Sequence, residues 1–248
     1  MIQRRVDLKP FLETVLEDGE LHARWLSTLS MLEHTGARKI HKCMPALPDD
    51  LGRSLNVLQH AAEESRHAFF FAKQIQRLRT SGSAHGSAEA DALDAGGSVD
   101  SHSQEMEGSR TEQKSGPLPL PLCYWPALKY FQSLDAMCQK RASKLLPSSP
   151  RRQTLYCYLA VTYLIEERAV DVYRAYEELL RQRELPIQLS GLLKEEEGHM
   201  SEILVMAQML PLDFEAELRS LALQETALFE RFAESLGTSA LSAIAAAN

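Results

Sequence analysis

Glu63-Glu64-Ser65-Arg66-His67 and Glu195-Glu196-Glu197-Gly198-His199 decide how this chain is read, because each sets a Glu and a His three residues apart in a stretch with helical periodicity. Residues three apart share a helix face, so each stretch turns one carboxylate and one imidazole toward the same point. That is half of a dinuclear metal site, written twice. Chance supplies about one Glu-x-x-His in a chain of ordinary composition and this length, so either copy alone means little. The residues upstream give the pair its weight. Glu33 precedes Glu64 by 31 positions and Glu166 precedes Glu196 by 30. The chain thus holds two copies of a single Glu, a gap of one helical hairpin, and then Glu-x-x-His.

Working outward, the sequence reads as almost wholly helical. Leu8, Phe11, Leu12, Val15 and Leu16 form the apolar face of a short entry helix over Asp7 to Glu20. A first major helix is expected from Leu21 to Lys42, with Glu33 in the middle of a face otherwise made by Trp25, Leu26, Leu29, Leu32, Ala37 and Ile40. The Met44-Pro45-Ala46-Leu47-Pro48 turn stops it. Asp49 or Asp50 can cap the second helix, whose inward stripe is expected to be Leu51, Leu55, Leu58, Ala61, Ala62, Ala68, Phe71, Ala72 and Ile75, with Glu64 and His67 beside it. Glu33 lies about 9 residues before the turn and Glu64 about 13 after it, roughly 14 and 20 Å of helix at 1.5 Å per residue. Folding the hairpin brings the two carboxylates to within about one turn in height.

The second half repeats the plan. Helices are expected over Trp125 to Leu146, Arg152 to Arg183, Ile187 to Met209 and Phe214 to Leu236, with the Ala-rich end from Leu241 fraying. Glu166 is preferred to Glu167 as the single Glu of this half, because its spacing matches better and Tyr173 follows it as Ile40 follows Glu33; Glu167 stays the alternative. Gly36 and Ala169 stand three residues after Glu33 and Glu166, small where close packing or a bound ligand needs room.

Between the halves, residues 80–116 are rich in Ser, Gly, Ala and acids and almost free of large apolar side chains, the composition of a disordered insertion. Residues 81–117 hold seven acids and two bases, so most of the net charge of −7 belongs there and the body is nearly neutral. The chain therefore reads as one domain, 1–248, interrupted by that insertion, and Pro117-Leu118-Pro119-Leu120-Pro121 is an extended arm laid across the helices. Acidic charge gives no electrostatic reason to expect nucleic acid, and Lys140, Arg141, Lys144, Arg151 and Arg152 are read as a solvated helix end. No run is long enough to span a bilayer, so a soluble, cytoplasmic protein is expected. Cys43, Cys123, Cys138 and Cys157 are scattered without Cys-x-x-Cys and read as reduced thiols.

Glu33, Glu64, His67, Glu166, Glu196 and His199 make a hard, mostly oxygen donor set with one nitrogen per metal. This suits a pair of iron ions, or manganese or a mixed iron–manganese pair, better than zinc. Few nitrogen ligands leave positions open for dioxygen or water.

The pattern resembles the ferritin-like di-iron carboxylate superfamily, in which an antiparallel four-helix bundle supplies one Glu from each of two helices and Glu-x-x-His from each of the others. The resemblance implies an all-α, ferritin-like fold with accessory helices, Glu33, Glu64 and His67 serving one half and Glu166, Glu196 and His199 the other. Glu63-Glu64-Ser65-Arg66-His67 is similar to the family's acid-Glu-x-Arg-His form, which implies supporting roles for Glu63 and Arg66 around the ligands; Glu167 and Glu195 are assigned beside them. Gly198 replaces the corresponding Arg in the second half, so access is expected beside His199. Leu164-Ile165-Glu166-Glu167-Arg168 and Leu192-Leu193-Lys194-Glu195-Glu196-Glu197-Gly198-His199 look most like the di-iron tRNA hydroxylases acting on a modified adenosine. The function this implies is dioxygen activation, with an external electron donor, to hydroxylate or otherwise oxidise a small molecule or a nucleoside. A ferroxidase and a metal-free helical interaction module are the alternatives.

Overall fold

The protein is described here by a computed structural model covering residues 5–44, 51–84 and 117–247. Among these residues there are seven helices and no strand: α1 (Lys9–Glu17), α2 (Gly19–Cys43), α3 (Leu51–Ala84), α4 (Tyr124–Leu145), α5 (Pro150–Gln182), α6 (Ser190–Ala207) and α7 (Phe214–Ala247). None of them is long and apolar enough to cross a membrane.

Local chemistry sets the boundaries. The Asp18 carboxylate accepts from Leu21 N at 2.8 Å and caps α2 two residues earlier than apolar periodicity suggests. His41 and Lys42 sit at its C-terminal end, where the helix dipole favours them. Proline occupies the first turn of α5, a position whose N–H needs no partner. At the other end, α7 continues to Ala247 instead of stopping at Leu236. Leu236 and Ala240 are buried and anchor it, and Ala has the highest helix propensity, so the expected fraying is replaced by helix.

α2 and α3 form the most extensive pair, and α5 and α6 the next. Ser30 Oγ reaches Ala68 O at 2.8 Å while Gly36 faces Glu64, so the α2–α3 contacts run antiparallel. In the second pair, Glu166 meets His199, and Glu177 accepts from Leu189 N at 2.8 Å, again antiparallel. The two hairpins pack face to face. α4 and α7 cover one side, where the buried Arg168–Glu225 pair ties α5 to α7. α1 closes an edge with Phe11 against Trp25.

The extended arm at 117–121 lies along α2 as expected: Ser27 Oγ donates to Pro119 O at 2.7 Å, and Leu122 N donates to Thr28 Oγ1 at 2.8 Å. Two sequence expectations need correcting. The inward stripe of α3 is Val57, His60, Ala61, Glu64, His67, Ala68, Phe71, Gln74 and Ile75, whereas Leu51, Leu55 and Leu58 are exposed and Ala62 is on the outer face. The ligand-type residues are part of the buried stripe rather than beside it. Residues 80–84, assigned to the insertion, are the last turn of α3. The remainder of that segment, 85–116, lies outside the described residues, as do the Pro45–Pro48 turn and the Asp49 or Asp50 cap. The cysteines are free thiols, with Cys43, Cys123 and Cys138 buried and Cys157 partly so.

Candidate metal centre

Each of the four paired helices delivers acid to one point. Glu33 comes from α2, Glu64 and His67 from α3, Glu166 from α5, and Glu196 and His199 from α6, and none is more than 7 % exposed. Helical spacing explains why: on α3 and α6 the Glu and His are one turn apart on the inward stripe. The fold adds a seventh donor, His60, one turn before Glu64 and 4 % exposed.

These side chains fall into two groups that could each hold a metal ion: Glu33, Glu64, His67 and Glu196, and His60, Glu64, Glu166 and His199. Glu64 belongs to both. Its Oε1 lies 3.5 Å from His60 Nε2, 3.9 Å from His67 Nδ1 and 3.6 Å from His199 Nδ1. Glu196 also reaches across, with Oε1 3.2 Å from His67 Nδ1 and Oε2 3.6 Å from His199 Nδ1. Glu33 stands at one end and Glu166 at the other, the latter 2.7 Å from His60 Nε2. The grouping differs from a split by hairpin, which put Glu196 with Glu166 and His199. The two Glu-x-x-His carboxylates project to the middle of the helix assembly, where they serve both sides.

The supporting residues cross between hairpins. His67 Nε2 is 2.7 Å from Glu195 Oε2, and His199 Nε2 is 2.8 Å from Glu63 Oε2. Each imidazole donates its Nε2 proton to a carboxylate on the other Glu-x-x-His helix, which leaves Nδ1 as the nitrogen directed inward. Arg66 donates to Glu195 at 2.7 Å and lies 3.9 Å from Glu63 Oε1. The carboxylate support is therefore symmetric despite Gly198. Glu167 is buried but stands in neither metal-capable group. Tyr173, on α5, donates its hydroxyl to Glu33. His22 is a core histidine hydrogen-bonded to Tyr176, and burial holds it down at about 4.

The electrostatics are those of a site short of positive charge. Burial, followed by the neighbouring Glu64 and Glu196, pushes Glu33 well above the usual carboxylate range. Burial also raises Glu166, with His60 opposing it. Burial alone would lower the imidazoles, but Glu166 and Glu64 lift His60 to about 10, and Glu196 and Glu166 lift His199 to about 9. Burial works to raise Glu196 as well, but the facing His199 and His67 imidazoles outweigh it and lower it.

His67 Nδ1, His199 Nδ1, His60 Nε2, Glu64 Oε1, and both oxygens of Glu166 and Glu196 are buried without a hydrogen-bond partner. Buried polar atoms are ordinarily satisfied, and these converge on the interior of the two groups. A pair of divalent cations would supply what they lack, so the residues present fit a metal pair.

No family model, curated protein or solved structure matches this chain. The site has to be read from its own chemistry.

A cavity of about 70 Å³ meets the centre on its carboxylate side, touching Glu33, Glu64, Glu166 and Glu196. No imidazole lines it, so it lies away from His199, where access was expected; Gly198 instead faces open space on the outer surface of α6. The walls are apolar and aromatic, from Trp25, Leu29, Phe131, Val172, Phe229 and Phe232. Gly36 and Ala169 both border it, which is the room that small residues at those positions imply. A Cβ on Gly36 would stand 3.3 Å from Glu64 Oε2.

His60 is the donor missing from the six read in the sequence. Its signal was its position, four residues before Glu64 and seven before His67, the spacing of one continuous helix face.

Proposed function

We propose that this chain is a ferritin-like di-metal carboxylate protein that activates dioxygen to oxidise an organic substrate. One observation carries the reading: four carboxylates and three imidazoles converge in a buried site, and all but Glu33 turn at least one unpartnered atom into it. Leaving such groups without counter-charge is costly, which tells against a metal-free interaction module.

Bound there, an iron or manganese pair supplies the redox chemistry needed to reduce dioxygen and oxidise a carbon or nitrogen centre. The chain's residues do the rest. Glu33, Glu64, Glu166 and Glu196 would hold the pair, with His67, His199 and His60 offering nitrogen. Glu63 and Glu195 fix the tautomers of His199 and His67. Tyr173 holds Glu33 in place through its hydroxyl. Trp25, Phe131 and the α7 aromatics keep water from the carboxylate face.

Beyond its carboxylate wall the cavity is lined mainly by apolar and aromatic side chains, which favours an organic substrate over iron storage, because an iron route would carry polar or acidic residues away from the centre as well. A whole nucleoside does not suit a space of about 70 Å³, since pockets for drug-sized molecules run from roughly 300 Å³ upward. The test is metal analysis of the purified chain after anaerobic loading with Fe(II) or Mn(II), beside Glu64→Ala and His199→Ala. Two ions per chain, reduced in both variants, is the expected result. A parent chain that takes up no stoichiometric metal would overturn the reading.

A further inference from the structure

The cavity beside the carboxylates carries information about what enters it. Apart from Tyr173, whose hydroxyl is given to Glu33, its polar fittings are of three kinds. The four metal-facing carboxylates form one wall. Arg168 and Tyr130 form part of another, and both are engaged: Arg168 Nε and Nη2 donate to the two oxygens of Glu225 at 3.0 and 2.6 Å, and Tyr130 donates to the same carboxylate at 2.7 Å. Phe229 stacks on the guanidinium at 4.5 Å. That cluster is charge-balanced and occupied with itself, so it offers no cation to an anionic ligand. The third fitting is Trp25. Its side chain is 1 % exposed and lines the cavity, yet its indole N–H has no acceptor among the described residues. An indole N–H is a donor only, and buried tryptophans ordinarily find a partner.

Size limits the occupant further. An apolar cavity of about 150 Å³ accommodates a benzene ring, and this one is about half that volume. A molecule of a few heavy atoms fits without moving the walls.

We propose that this cavity is a substrate site for small, uncharged, mainly aliphatic molecules carrying one hydrogen-bond-accepting oxygen, which Trp25 receives through its indole N–H. Such a molecule places its carbon chain against the Glu33–Glu166 face of the centre. The proposal rests on the di-metal reading for the reaction that follows, but binding is measurable without it.

The chain has two tryptophans, Trp25 and the exposed Trp125, so its indole N–H signals in a proton–nitrogen NMR spectrum are easily separated. The full-length chain, without added iron, is titrated with butanone, with butyrate and with adenosine. Trp25→Phe assigns the signals and removes the donor while keeping the aromatic wall; Ala169→Leu fills the cavity. Butanone should move the Trp25 N–H signal saturably and leave that of Trp125 in place. Binding followed by ligand-observed NMR should weaken at least tenfold in Trp25→Phe and in Ala169→Leu, and butyrate and adenosine should not move the signal. An unmoved Trp25 signal, equal binding of butyrate or adenosine, or undiminished binding by Trp25→Phe would overturn the proposal. Metal analysis on the same samples keeps the two readings apart. A chain that binds metal but not butanone refutes this site alone, whereas one that binds butanone but no metal refutes only the di-metal reading.

Discussion

Glu195 on α6 and His67 on α3 face each other across the hairpin interface at 2.7 Å, and Glu63 on α3 repeats the arrangement with His199 on α6 at 2.8 Å. Each Glu-x-x-His helix therefore orients the imidazole of the other. The two halves of the centre depend on one another for ligand geometry, not only for ligands.

Replacing either outer carboxylate should weaken metal binding without unfolding the chain. Glu63→Ala and Glu195→Ala each leave an Nε2 proton unpartnered and free the ring to turn, a kind of loss that typically costs 10–100-fold in affinity. Arg66→Ala should cost less, since Arg66 is half exposed and acts on the imidazoles only through Glu195 and, more distantly, Glu63. Competition with a chromophoric chelator reads these constants. Equal affinity in all three variants and the parent would mean that the crossed pairs do not orient ligands.

His60→Ala should divide the two ions. His60 belongs only to the group with Glu64, Glu166 and His199, where it stacks on His199 at 3.9 Å between ring centroids. The other group keeps all four of its donors. Metal content in the variant should fall toward one ion per chain under conditions that load two into the parent. Retention of both at parental affinity would make His60 a neighbour rather than a ligand.

His60 shows what periodicity can and cannot read. Glu33, Glu64, His67, Glu166, Glu196 and His199 were legible because metal chemistry imposes a spacing that ordinary packing does not, and the structure gathers all six. The buried face of α3 was misread for a related reason. Leu51, Leu55 and Leu58 form a helical stripe of their own and outweigh Val57 and Ala61 on any hydrophobic scale, yet the buried face is the one bearing His60, Glu64, His67 and Gln74. Where a core is built around polar ligands, apolarity marks the wrong face. The cavity was illegible because it needs α4 and α7, whose placement over α5 no local pattern specifies.

Gly36→Ala should separate site geometry from stability. Alanine is favoured over glycine in a helix by about 1 kcal/mol, so thermal unfolding of the metal-free chain should be unchanged or slightly delayed. The new methyl, however, would stand 3.3 Å from Glu64 Oε2 and must displace a carboxylate that serves both metal groups. Metal affinity should fall about tenfold or more, on the scale of disturbed ligand support. Parental affinity in a folded Gly36→Ala chain would show that Glu64 can shift freely.

The metal-free chain should lose stability as pH rises, and metal should abolish that loss. His60 and His199 are lifted to about 10 and about 9 by Glu166, Glu64 and Glu196, against the pull of burial. A group raised on folding stabilises fully below its unfolded value, about 6.5 for His, and the contribution disappears as pH climbs through the folded value. Glu33 and Glu166, raised mainly by burial, act in the same direction from their ordinary 4.5 upward, because the unfolded chain releases those protons first. Glu63, Glu195 and Glu196 are lowered by their histidine partners once burial is overcome, so their contribution is present above about 4.5 and fails only in acid. Stability without metal should thus be greatest near pH 5–6.5 and decline toward pH 9–10. At about 2–4 °C per kcal/mol for a chain of this size, a fall in Tm of roughly 5 °C or more is expected. Two divalent ions would take the place of the retained protons, so the Mn(II)-loaded chain should show little change over the same span. Thermal melts at pH 5.5, 7.5 and 9, with chelator and with Mn(II), measure both curves; a metal-free Tm that stays level or rises with pH would remove the coupling between the buried acids and the imidazoles on which this argument rests.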